Sequence, residues 1–211
     1  MKKTRQLVAT ALFAALSAAT LVGQAQTIRI ANQGDALSMD PHSLNESLQL
    51  SVTSNVYEPL VGRNKDLSLA PALATAWKQT APTVWRFELR KGVQFHDGTP
   101  FTADDVIFSF ARMKGEGSDM KATNSDVKEV RKIDDHTVEI ETFGPQPILP
   151  DVITTSYMMS KKWCEANQAV TPVDRRKGIE NAASFRANGT GPFRLRERQP
   201  GVRTVFTRSG T

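Results

Sequence analysis

Residues 84–113 constrain the fold more than any other part of this sequence. Trp85, Phe87 and Leu89 alternate with Arg86, Glu88 and Arg90, the period of a strand with one buried face and one wet face. Lys91-Gly92 and Asp97-Gly98 are turn signals around residues 93–96. Thr102-Ala103-Asp104-Asp105 then opens a helix. The Thr102 hydroxyl is placed to cap the Asp105 N–H, and two carboxylates sit at the positive end of the helix dipole. Val106, Phe110 and Met113 continue that helix on one apolar face.

The rest of the chain keeps the same grammar. Residues 27–31 (TIRIA) read as a short strand with Ile28 and Ile30 inward. Ser43-Leu44-Asn45-Glu46 has capping-box spacing and predicts a helix with Leu48, Val52, Val56 and Leu60 on its buried face. Pro71 suits the first turn of a short helix over 72–76. Residues 127–132 and 137–142 read as a hairpin closed by Asp134-Asp135-His136. A short helix is expected over 147–154, a strand end over 156–160 and a helix over 160–167. Residues 189–191 form a tight turn into two last strands, which Pro200-Gly201 joins. Helices and strands alternate without internal repeats, giving an α/β chain with mixed pairing.

Composition enters through charge. The 211 residues carry 27 Lys+Arg against 22 Asp+Glu, a net +5. Residues 1–25 read as an export signal: Lys2, Lys3 and Arg5, then a mostly apolar stretch over 7–22, then Gly23-Gln24-Ala25. That stretch falls short of the roughly 20 apolar residues of a spanning helix, so stable membrane insertion is not expected. Cys164 is the single cysteine, so lipidation at the cleavage point is chemically impossible and a disulfide within the chain is excluded. Removing the signal's three positive charges leaves 24 against 22, an ordinary balance. The residual basic excess lies in residues 175–211, with nine Lys+Arg and two Asp+Glu. It lacks the interleaved aromatics of a nucleic-acid surface and reads as the wet face of strands.

Catalytic and metal chemistry find no support in the residues. Asp104 and Asp105 point about 100° apart on a helix, so they do not face one substrate. His42, His96 and His136 lie far apart in loops and have no ligand spacing. Cys164 reads as a half-buried apolar residue in a helix. Gly189-Thr190-Gly191 has neither the spacing nor the lysine of a phosphate loop. The chain is therefore expected to be neither an enzyme nor a cofactor protein.

WRFELRKGVQFHDGTPFTADDVIFSF, residues 85–110, closely resembles the signature of bacterial extracellular solute-binding proteins of family 5, the dipeptide, oligopeptide, glutathione and nickel binders of ABC importers. SMDPH (38–42), YEPL (57–60), LAPALATAW (69–77) and GTGPFRL (189–195) follow the family's order. Ala81-Pro82 departs from it, standing where an Asp-Gly-type turn is usual. The resemblance implies a periplasmic-binding-protein-like α/β fold of class II, with mixed sheets and flanking helices. Residues 26–46 and 189–211 would be parts of a first lobe, and 47–188 an inserted subdomain carrying the signature. It implies a periplasmic receptor that binds a peptide or peptide-like solute and hands it to an inner-membrane permease. In the family's peptide binders the segment after the DPH-type motif lines the cleft largely through its backbone, which corresponds to Asn45, Glu46 and Ser47. Glu46 has a purely structural alternative as the partner in the capping box. Family members are more than twice this length, so the expectation is an N-terminal fragment lacking the second lobe. The alternatives are a truncated product without transport function and, less well supported, a basic protein contacting nucleic acid or anionic lipid through residues 175–208.

Overall fold

The computed structural model describes residues 27–210. The expected export signal lies outside the described residues. In chain order the elements are α1 (Ser47–Thr53), β1 (Val61–Arg63), β2 (Leu69–Pro71), β3 (Ala74–Ala81), β4 (Val84–Leu89), α2 (Ala103–Met113), β5 (Val127–Asp134), β6 (Thr137–Thr142), α3 (Leu149–Val152), α4 (Lys161–Ala166), β7 (Phe193–Gln199) and β8 (Arg203–Arg208). Single 3₁₀ turns lie at Ile153–Thr155, Arg175–Lys177 and Ala182–Ser184. The elements all belong to the compact unit that begins at Gly34.

The alternation in β4 sets the architecture. Four antiparallel strands form a sheet in the order β3-β4-β6-β5. Trp85 pairs with Ile140 and Phe87 with Val138, which puts apolar pairs on one face; Arg86 pairs with Glu139 on the other. The wet face is laced by ion pairs: Arg86 to Glu139 at 2.7 Å, Lys128 to Glu141 at 2.6 Å, and Arg131 between both carboxylates. On the dry face Phe87, Leu89, Val138 and Ile140 share one buried cluster with Val106, Phe110 and Met113 of α2, so the predicted apolar faces meet. Phe95 and Phe101 meet edge-on in that cluster with centroids 6.0 Å apart. Each phenylalanine buried in this way stabilises the fold by roughly 1.5–3 kcal/mol. The β3–β4 turn closes over Pro82 and Thr83, with Ala81 opposite Val84, so proline serves where a glycine turn was usual.

A second buried cluster gathers Met39, Val56, Tyr57, Tyr157, Met159, Cys164, Ala169 and Ala183, with Leu195 of β7 and Phe206 of β8 packed against it. It joins the start and the end of the Gly34–Thr211 unit.

Several expected elements differ. Residues 27–31 form no strand; Ile28 is 83% and Ile30 87% exposed, and no described strand pairs with them. Residues 72–76 are not helical. The amides of Leu73 and Ala74 bond to the carbonyls of Pro59 and Leu60, which draws the segment into β3. The capping box at Ser43 does not form, because the Ser43 hydroxyl donates to the Asp40 carbonyl at 2.8 Å. Helix α1 begins at Ser47 and buries Gln49 and Thr53, while Val56 and Leu60 are buried beyond its end. Residues 156–160 contribute only a bridge from Tyr157 to Pro59. The α2 start is as expected: Thr102 and Asp105 form a reciprocal capping box, with Asp105 Oδ2 accepting from the Thr102 N–H at 2.9 Å.

Candidate functional site

Helix α2 carries a second buried face. Asp105, Ser109 and Arg112 recur at i, i+4 and i+7, about 100° round the helix from the apolar stripe. Each takes backbone from a loop crossing the helix. Asp105 Oδ1 accepts from the Lys161 N–H at 2.9 Å, and Ser109 Oγ accepts from the Met159 N–H at 2.8 Å. Arg112 donates from Nε to the Ala169 carbonyl at 3.0 Å and from Nη2 to the Thr171 carbonyl at 3.1 Å. Sequence reasoning read Asp105 only as a cap and passed over Ser109 and Arg112. The available signal was polar residues at helical spacing inside an otherwise apolar helix.

Arg112 also grips SMDPH. It forms a two-pronged ion pair with Asp40, at 2.8 and 2.6 Å, and both side chains are fully buried. Burial would raise the Asp40 pKa, but the Arg112 charge and hydrogen bonds outweigh it and hold the carboxyl below its usual range. Asp40 accepts as well from the backbone N–H groups of His42 and Val173. Arg112 Nη1 lies 2.9 Å from His42 Nδ1, and His42 Nε2 lies 2.9 Å from the Tyr157 carbonyl. A guanidinium only donates and a carbonyl only accepts, so His42 is neutral with its proton on Nε2. Burial first, and then the Arg112 charge, lower its pKa to about 4.

From this anchor the candidate segment emerges. Ser43 is tied back to Asp40 through its N–H and its hydroxyl. Asn45, Glu46 and Ser47 are then all exposed, on one short stretch that enters α1. Asn45 Nδ2 donates to Thr123 Oγ1 at 3.1 Å. Glu46 is the residue before the helix, with φ −134° and ψ 155°, and its side chain makes no cap bond. Beyond them Gln49 is buried and donates to the Ser38 carbonyl. The structure thus places the three residues side by side on the surface, held at both ends.

The 189–191 turn closes the arrangement from the other side. The Gly191 N–H donates to the Val56 carbonyl at 2.8 Å, and the Gly189 carbonyl accepts from the His96 N–H at 2.9 Å. His96 Nε2 donates to the Gly191 carbonyl at 2.8 Å, and Asn188 Oδ1 accepts from the Asp97 N–H at 3.0 Å. His96 and Asp97 therefore act as backbone clamps.

The family model for bacterial extracellular solute-binding proteins, family 5 (middle), matches residues 68–210. The chain belongs to the family 5 extracellular solute-binding proteins. The chain is 28% identical over 157 residues to the periplasmic oligopeptide-binding protein OppA of Escherichia coli, a match covering 65% of this chain and 29% of that protein. It is 26% identical to the E. coli dipeptide-binding protein, covering 87% of this chain and 37% of that one. The oligopeptide-binding protein AppA of Bacillus subtilis, solved with a nonapeptide, superposes with a TM-score of 0.72 at 20% identity, over 84% of this chain and 35% of that one. The chain spans less than two fifths of the length of each of these proteins.

Within the family 5 fold, the remaining motifs have structural duties. In YEPL, Tyr57 and Leu60 are buried and Glu58 pairs with Arg90 at 3.1 Å. LAPALATAW supplies β2 and the start of β3, with Leu73 and Ala74 in the core. Cys164 is fully buried, more than the half-buried position expected, and burial pushes its thiol up to about 12, so it is no nucleophile. His42 and His96 are buried and hydrogen-bonded in separate networks. Among the described residues no group of three or more His, Cys, Asp or Glu could hold a metal ion. None of the described helices is long and apolar enough to cross a membrane.

The basic tail is partly neutralised by carboxylates of its own and of other segments. Arg175 pairs with Glu180, Arg176 with Asp119, Lys177 with Glu116, and Arg203 with Glu197. Arg198, nearly fully buried, lies 3.7 Å from Asp35. Five of the nine basic residues in 175–211 are thus paired with a carboxylate, which weakens the field that an anionic partner would follow.

Proposed function

We propose that this chain is the solute-capturing component of an ABC importer, working in the periplasm and delivering a peptide or peptide-like solute to an inner-membrane permease. Membership of family 5 over residues 68–210 carries this reading, and its relatives include proteins named for oligopeptide, dipeptide and glutathione binding. The segment Asn45, Glu46 and Ser47 is the proposed contact with the solute. Its exposure and its anchorage at both ends suit recognition through backbone N–H and C=O groups, which accept any peptide irrespective of side chains. The proposed lobe parts, 26–46 with 189–211 and the subdomain 47–188, belong to the same reading. The cluster joins Met39 to Leu195 and Phe206, and its other buried members come from 47–188, so the proposed parts share one core.

The test is thermal unfolding of the exported protein with di- to pentapeptides, glutathione and Ni²⁺. A ligand at a hundred times its Kd stabilises the native state by about 2.7 kcal/mol, a shift readily seen in the melting temperature. Peptides should give it, and Asn45→Ala or Glu46→Ala should change affinity little, since the contact is through the backbone. No shift with any of these ligands at millimolar concentration defeats the proposal.

A further inference from the structure

We infer that Arg112 is the positioning residue for the Asn45–Glu46–Ser47 segment. The use of that segment as a solute contact rests on the proposed function; its positioning by Arg112 does not.

The segment has little of its own to hold it. Its side chains are exposed, and Asn45 to Thr123 is a surface hydrogen bond. Its two ends are instead tied to the 38–42 loop, at Ser43 through the Asp40 carbonyl and at Gln49 through the Ser38 carbonyl. Where that loop sits decides where the segment sits. The loop is held by Asp40 and His42, and Arg112 contacts both, with two bonds to the carboxylate and one to Nδ1. Arg112 is in turn held by the carbonyls of Ala169 and Thr171. Its helix is fixed to the sheet through Val106, Phe110 and Met113. Arg112 makes the three bonds that link the sheet-packed helix to that loop, whose other ties include those from His42 to Tyr157, Ser118 and Asp119 and from Met39 to Ser184. Its planar fork is essential, because a lysine ammonium at the same place cannot reach five acceptor atoms at fixed angles.

The lock touches no residue of the segment directly, so its loss should loosen the segment and leave the sheet intact. Amide hydrogen exchange of the whole exported chain reads this without any ligand. In Arg112→Lys, protection across residues 43–50 should fall at least about tenfold while residues 84–89 and 137–142 keep theirs. Unchanged protection at 43–50 overturns the inference, as does an equal fall in the sheet. If Arg112→Lys does not fold, Asp40→Asn decides in the same way: it keeps the side-chain volume and breaks the two-pronged pair through which Arg112 holds the 38–42 loop. A second arm titrates trialanine by calorimetry. Under the proposed function the wild type binds it and the lock variant binds it at least about tenfold more weakly, roughly the effect of 1.4 kcal/mol. Equal affinity overturns the link between the lock and recognition. A wild type that takes no trialanine counts against the proposed function alone, and the exchange result still decides the role of Arg112.

Discussion

A methyl group built on Gly191 would stand 2.7 Å from both the carbonyl carbon and the carbonyl oxygen of Val56, while the Gly191 N–H bonds to that same oxygen at 2.8 Å. The obstacle is backbone, which cannot rotate away. Gly189 is closer still to the same carbonyl. The glycines of GTGPF are thus required by close approach of two chains, not by an unusual dihedral angle. Gly191→Ala should cost at least about 3 kcal/mol, at the upper end of overpacking penalties. Gly144→Ala, with open space around it, should cost far less. Urea unfolding of the two variants checks this; equal midpoints would refute the account.

The Arg112–Asp40 pair yields a sharper test than a simple deletion. Removing one partner of a buried ion pair typically costs about 3–5 kcal/mol, because the other charge is left in the interior. Arg112→Met and Asp40→Leu should each fall in that range. In the double variant the two losses should partly cancel, since no lone charge remains. It should nevertheless stay below the wild type, because the carbonyls of Ala169 and Thr171 and the Val173 N–H lose their partners. A double variant as stable as the wild type would mean that those backbone groups find other partners.

These two cases show what the sequence makes legible. Strand β4 and helix α2 were readable because their periods are local and each buries one clear face. The GTGPF turn was readable as a turn, though not as a contact with Val56. Residues 72–76 misled because Pro71 and the alanines favour a helix locally, while the carbonyls of Pro59 and Leu60 recruit the segment from outside it. Ser43 misled because its hydroxyl faces back to Asp40. Asp40 and Arg112 stand 72 positions apart, a separation that no periodicity records. Asn45, Glu46 and Ser47 were named through family resemblance alone, since three exposed polar residues before a short helix carry no physical mark of a site.

Ser109 tests the second face of α2. Its hydroxyl donates to the Asp105 carbonyl at 2.7 Å and accepts from the Met159 N–H at 2.8 Å. Ser109→Ala is nearly isosteric and leaves the helix propensity as good or better. It orphans the Met159 N–H in a buried setting, which costs about 1–3 kcal/mol. The loss should appear in equilibrium unfolding, with exchange accelerated at Met159. A variant of unchanged stability would mean that the stripe does not hold the crossing loop.

His42 sets an acid limit. It is neutral in the native state with a pKa near 4, against 6.5 in the unfolded chain. Between those values the unfolded chain binds a proton that the native state refuses, so native stability falls as pH falls. Each pH step in this window is worth about 1.4 kcal/mol, so roughly 3 kcal/mol is lost from pH 6.5 to pH 4. Below pH 4 both states are protonated and this contribution levels off. Asp40 does not blur the window from above, because Arg112 keeps its carboxyl charged below the usual range. A protonated His42 would turn an Nδ1–H toward Arg112 Nη1 across 2.9 Å, two donors facing each other. The unfolding free energy should therefore decline steeply between pH 6.5 and pH 4 in the wild type and more shallowly in His42→Asn, where the slope that remains includes His96, whose pKa burial also lowers. Identical slopes for the two proteins would show that His42 is not the group that senses acid.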